Sequence, residues 1–153
     1  MLGLGNPIRG DDAVGLKVVA LVRERLGPGS QIDVVEEAAG GLRLMERLSG
    51  YDRAILVDAA VTGAAPGTVR RLGPDELPTQ RTAYAHGVDL TTALGLGREM
   101  GLPMPGQVRI VAIEAESVFD FRSELSPSLA AAVEGAVEAV LAELAANPPK
   151  EAP

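Results

Sequence analysis

One stretch constrains this chain more than any other: Gly3-Leu4-Gly5-Asn6-Pro7-Ile8-Arg9-Gly10-Asp11-Asp12-Ala13-Val14-Gly15, a glycine-rich loop ending in two carboxylates where an amphipathic helix begins. Glycines at 3, 5 and 10 allow turn conformations closed to other residues, Pro7 stiffens the loop, and Asn6 can close it with a side-chain hydrogen bond. Behind the loop, Val14, Val18, Leu21, Val22 and Leu26 recur at three- and four-residue steps, which predicts an apolar face on a helix over 12–26. A carboxylate at the start of that helix lies beside a sheet edge.

Two phosphate-binding readings fail on these residues. A dinucleotide fingerprint G-x-G-x-x-G needs a glycine where Ile8 stands. A phosphate loop needs a following Gly-Lys-Ser/Thr, and Asp11 and Asp12 would repel a phosphate from the helix N-terminus. An ordinary explanation of the acidic pair stays open: one Asp caps the helix and the other interacts with its dipole.

The rest of the chain alternates strand and helix patterns. Met1–Leu4 reads as the end of a first strand whose start is expected upstream, since buried parallel strands usually run about five residues or more. Residues 31–36 alternate and are β-branched, predicting a second strand; Gly40-Gly41 then leads into a helix with Leu42, Met45 and Leu48 on one side. Residues 53–58 form a continuous apolar run ending in Asp58, the pattern of a central strand covered on both faces. A short half-exposed strand at 68–72 follows the Pro66-Gly67 turn. A polar loop over 74–81, long enough to be mobile, delivers the chain to His86, which opens a helix over 87–100 with Gly95 and Gly97 marking close packing. The final strand is 107–113. Ser126-Pro127 then caps a helix whose face carries Leu129, Val133, Val137, Val140, Leu141 and Leu144.

This order predicts a three-layer α/β/α sandwich with a mostly parallel sheet of about five strands, one of them antiparallel near 68–72. Residues 1–146 are expected to form a single domain and 147–153, with three prolines, a disordered tail. The apolar runs are too short to span a membrane and no secretion signal precedes them, so a cytoplasmic protein is expected. A net charge of −7 with two Tyr, two Phe and no Trp argues against a nucleic-acid partner. The absence of cysteine removes thiol nucleophiles, disulfides and thiolate metal sites.

Open parallel sheets bind ligands at the carboxyl ends of their strands, where Asp11, Asp12, Asp58 and the approach to His86 fall in this reading. The chain has one histidine. An Asp from the first helix start, Asp58 and His86 make an oxygen, oxygen, nitrogen set with open positions, suited to a divalent ion such as Ni²⁺ or Zn²⁺. As ordinary explanations, His86 is a surface or capping residue and Asp58 a turn residue. Glu36, Glu37, Glu114 and Glu116 end strands as substrate contacts or, more commonly, solvated loop charge. Lys17 falls on the exposed side of the first helix, and neither G-x-S-x-G nor H-E-x-x-H occurs.

The Gly3-Leu4-Gly5-Asn6-Pro7 and Gly10-Asp11-Asp12-Ala13-Val14-Gly15 motifs, the apolar strand ending in Asp58-Ala59 and the helix opened by His86 together resemble the hydrogenase maturation protease family. That family trims the C-terminal extension from the large subunit of nickel-iron hydrogenases. The resemblance spans nearly the whole chain and implies that Asp12, Asp58 and His86 bind the metal and carry catalysis; it selects Asp12 over Asp11, which spacing does not. It also implies a hydrogenase large-subunit precursor as partner, with Ni²⁺ presented by that substrate; the protein itself is expected to be a monomer. The sequence departs from the family pattern in its short first strand, in the late Gly40-Gly41 pair and in lacking proline after Ile113-Glu114-Ala115. Two other readings are a peptidyl-tRNA hydrolase, which shares only the opening Gly-Leu-Gly-Asn-Pro, and a non-enzymatic nickel-binding maturation chaperone.

Overall fold

The computed structural model describes residues 1–38, 41–76 and 90–146. Five strands form one sheet: β1 (Leu2–Leu4), β2 (Val35–Glu37), β3 (Arg53–Ala60), β4 (Val69–Leu72) and β5 (Gln107–Glu114), ordered β2-β1-β3-β5-β4. All neighbours run parallel except β4, which is antiparallel to β5. The helices are α1 (Val14–Leu26), α2 (Leu42–Leu48), α3 (Leu90–Glu99) and α4 (Pro127–Ala146).

Strand periodicity divides the core into two halves. Ile55, Val57 and Ala59 of β3 join Val111 and Ile113 of β5 under α1 and α4, whereas Ala54, Leu56 and Ala60 join Leu2, Leu4, Ile110 and Ala112 under α2 and α3. Both faces of β3 are therefore covered, which is why its sequence is apolar without alternation. The result is the three-layer α/β/α sandwich that the sequence predicts. No helix among the described residues is long and apolar enough to cross a membrane.

Packing, not capping, holds α1 in place. Neither α1 nor the 3-10 turn before it (Gly10–Ala13) has a side-chain cap, a contact worth about 1 kcal/mol. Val14, Val18, Val19 and Val22 are completely buried, and each contributes roughly 1.5–3 kcal/mol. This face can reach the sheet because two glycines let backbones touch. A Cβ on Gly15 would stand 2.3 Å from the carbonyl oxygens of both Leu4 and Val57, and one on Gly3 would stand 2.4 Å from Val19 Cγ2.

Several elements differ in extent from the sequence expectation. β2 covers three residues because its partner β1 offers three, in the register Leu2 to Val35, Gly3 to Glu36 and Leu4 to Glu37. β3 runs two residues past Asp58, since its ladder with β5 continues to the Ala60 and Glu114 pair. In α2 the buried side is Leu44, Met45 and Leu48, while Leu42 is exposed. In α3 the buried side is Leu90, Ala93, Leu94 and Gly97, and Thr91 and Thr92 face outward. Gly97 is closely packed, with a Cβ there falling 2.5 Å from Met104 Sδ, but a Cβ on Gly95 would meet nothing within 4 Å. The expected start of the α3 helix at 87, most of the 74–81 loop and the 147–153 tail lie outside the described residues.

These contacts separate two glycines in helices. Gly15→Ala forces α1 off two backbone carbonyls, an overpacking penalty of about 1–3 kcal/mol or more that exceeds the roughly 1 kcal/mol gain in helix propensity. Gly95→Ala keeps the gain without the clash. Thermal denaturation is expected to show a midpoint lowered by about 2–4 °C for each kcal/mol of net penalty in the first variant and slightly raised in the second.

Candidate functional site

The strand order reverses direction around β1: the chain moves outward to β2 and then returns across β1 to β3. Loops leaving β1 and β3 therefore diverge at the carboxyl ends of those two strands, the place where open parallel sheets form their ligand crevice. Both described candidates lie there. Asp12 stands in the 3-10 turn that follows β1, and Asp58 lies on β3, one residue after the Val57 carbonyl on which Gly15 rests.

The glycine loop is held by its own atoms. Asn6 Oδ1 accepts the Ile8 N–H at 3.1 Å, the side-chain closure predicted from sequence, and the Arg9 N–H donates to the Asn6 carbonyl at 3.1 Å. Gly5 has φ +153°, and a Cβ there would lie 2.1 Å from the Asp12 carbonyl oxygen, so the loop passes Asp12 where only glycine fits. Its edge neighbour β2 supports it through the Gly5 N–H to Glu37 carbonyl bond of 3.2 Å.

Asp12 and Asp58 are each 1% exposed. Asp12 Oδ2 accepts the Asn6 N–H at 2.9 Å, and Asp58 Oδ1 accepts the Ala59 N–H at 2.8 Å. Withdrawing a carboxylate from water costs several kcal/mol, so two at one crevice mark a costly concentration of acid. Two ordinary explanations fail: the residues flanking the 3-10 turn and α1 are Arg9 and Ala13, so neither Asp11 nor Asp12 is a helix cap, although both stand in the first turn of the 3-10 helix, and Asp58 lies within the strand, not in a turn after it. Asp58 belongs by alternation to the face shared by Leu56 and Ala60, which α3 covers. His86 lies outside the described residues. Among the described residues, no group of three or more His, Cys, Asp or Glu could hold a metal ion.

The neighbouring carboxylates are structural. Asp11 is 1% exposed; its Oδ1 accepts the Ser126 N–H at 2.6 Å and its Oδ2 lies 3.7 Å from the Arg122 guanidinium. With the Gly10 N–H bond to the Arg122 carbonyl at 2.7 Å, this clamps the segment before α4 onto the glycine loop. Glu114, also 1% exposed, accepts the N–H groups of Thr62, Gly63 and Ala64 at 2.5, 2.9 and 3.2 Å, the Thr62 hydroxyl at 2.8 Å and Arg70 at 3.2 Å. It thereby fixes the loop by which β3 leaves the site. Glu37 is buried against Arg47 at 3.0 Å and Arg43 at 3.8 Å. Glu36 is exposed and paired with Arg23, Glu116 is exposed, and Lys17 is exposed as predicted. Glu37 and Glu114 are thus buried and paired, not the solvated loop charge that is the commoner explanation. Local pattern shows carboxylates near the ends of apolar strands, but not the partners that come from 6 to 52 residues away.

A cavity of about 530 Å³ lies at the opposite end of the strands, between Tyr51, Arg53, Gln107 and Arg109. Neither Asp12 nor Asp58 lines it.

A family model described as hydrogenase maturation protease (HycI) matches residues 16–143. The hydrogenase 2 maturation protease of Escherichia coli K12 is 29% identical over 147 residues, covering 94% of this chain and 88% of that one. The structure of the hydrogenase maturating endopeptidase HybD from E. coli superposes with a TM-score of 0.79 at 27% identity, covering 96% of this chain and 91% of that chain. The solution structure of an endopeptidase from E. coli gives 0.82 at the same identity and coverage.

Removing the Glu114 carboxylate strands three backbone N–H groups and Arg70. Glu114→Ala is expected to lower unfolding free energy by about 2–3 kcal/mol, and Glu114→Gln by less because one acceptor oxygen survives. Urea denaturation of the two variants checks the order.

Proposed function

Because the chain belongs to the hydrogenase maturation protease family, we propose that it removes the C-terminal extension of a nickel-iron hydrogenase large-subunit precursor by cutting one peptide bond after nickel insertion. The class of activity, a hydrogenase maturation endopeptidase, follows from family membership. The observation that carries the finer reading is the pair of carboxylates, Asp12 and Asp58, buried at the crevice between β1 and β3.

In this reading the nickel ion belongs to the substrate. Asp12 and Asp58 offer oxygen donors and His86 an imidazole nitrogen, a set that suits a divalent ion and leaves positions open. The three side chains fill free positions on the substrate's ion and so bring the scissile carbonyl beside it. The ion polarises that carbonyl or lowers the pKa of a bound water, and a carboxylate takes the proton. The chain has no cysteine to form a covalent intermediate, which agrees with direct attack by water. The family match disfavours the peptidyl-tRNA hydrolase reading; the nickel-binding chaperone reading shares the ligands and differs in leaving the precursor uncut.

The test incubates the protein with nickel-loaded and nickel-free precursor and follows the C-terminal fragment by mass spectrometry. Cleavage is expected for the nickel-loaded form alone. Asp12→Asn, Asp58→Asn and His86→Ala are each expected to lower kcat/KM at least about 100-fold, the range for loss of a group handling charge or protons in the reaction. Equal cleavage of both precursors discards recognition through the metal, and nickel retention without cleavage selects the chaperone.

A further inference from the structure

The two phenylalanines of this chain are both on its surface, Phe119 at 71% exposure and Phe121 at 74%. A chain this poor in aromatics would be expected to use them in its core. They stand instead on the segment between β5 and α4, which Asp11 and Gly10 pin to the glycine loop. The pinning continues: the backbones of Arg9 and Arg122 form a β-bridge, and the Arg9 guanidinium carbon lies 5.8 Å from the Phe121 ring centroid. Ile8, next to Arg9, is 60% exposed. Apolar side chains from two segments thus stand on the clamped pair, and Ile8 is four residues along the loop from Asp12.

The surrounding charge is acidic. Glu116, Asp120 and Glu124 are exposed on the same segment, while Arg122 is engaged by Asp11 at 3.7 Å and Asp120 at 3.9 Å. Exposed aromatics with a rim that is acidic on balance, Glu116, Asp120 and Glu124 against Arg9 and Arg122, have the composition of a protein-binding patch, and the balance of charge selects the partner. We propose that Phe119, Phe121 and Ile8 dock the precursor polypeptide through an apolar segment that carries lysine or arginine. This rests on the proposed cleavage of that precursor. Because the aromatic segment and the Asp12 loop are clamped together, a polypeptide seated on the phenylalanines is held in fixed register with the crevice.

The experiment compares the wild-type protein with a Phe119→Ser/Phe121→Ser double variant and an Asp120→Lys/Glu124→Lys double variant. Affinity for the nickel-loaded precursor is read by calorimetry, cleavage by kcat and KM, and folding by circular dichroism. Both variants are expected to fold, to bind the precursor at least ten-fold more weakly, and to show the loss of kcat/KM in KM. Binding by the wild-type protein is expected to weaken as salt is raised. Equal affinity in wild type and variants overturns the proposal, as does a wild-type dimer that the phenylalanine substitutions dissociate, which would make the patch a contact between copies. Since binding is measured without cleavage, a wild-type protein that binds through the phenylalanines and leaves the precursor intact sinks the cleavage reading and keeps the docking surface.

Discussion

Everything at the crevice depends on how closely α1 approaches β1 and β3. Helices normally stand off a sheet by the length of the side chains between them, but here Gly15 rests directly on the Leu4 and Val57 carbonyls and Gly3 receives Val19. That approach lowers the turn carrying Asp12 to the level of the strand ends. It also explains why a chain with no side-chain cap on α1 still begins the helix at a defined place: the completely buried valines and the glycine contact set its position from the side.

The carboxyl end of the sheet gathers acid, and part of that acid holds the fold together. Glu37, Glu114 and Asp11 meet arginines and, for the last two, backbone N–H groups, so their burial is offset by hydrogen bonds that tie distant segments together. The Asp11 tie lies beside Asp12, and the Glu114 tie holds residues 62–64 just past Asp58. Structural carboxylates therefore build the frame around the two proposed to meet the substrate's ion. A frame made from ionic and amide contacts resists displacement better than apolar packing alone, because its hydrogen bonds have one geometry.

Much of this was legible in the sequence, and the reasons are local. Val14, Val18 and Val22 announce α1 by spacing, the unbroken apolar run at 54–57 announces a strand covered on both faces, and Asn6 announces the turn it closes. Boundaries were less legible where a partner strand decides them: β2 stops where β1 stops, and β3 continues past Asp58 because β5 continues. The roles of Glu114 and Asp11 were not legible at all, since their partners are 44–52 and 111–115 residues away and no period in the chain links them. Spacing left Asp11 and Asp12 equivalent; the Ser126 contact gives Asp11 a structural task.

The bond from Ser126 to Asp11 also has a meaning in time. It joins residues 115 apart, and Ser126 is the residue from which α4 departs. Local contacts such as the Asn6 turn form early, whereas a contact closing so long a loop waits until the intervening chain has collapsed. On a ribosome the glycine loop is made first and its clamp more than a hundred residues later, so a half-made chain carries both aspartates without the brace that fixes their surroundings. A protein that severs other polypeptides is thereby left unfinished for most of its own synthesis.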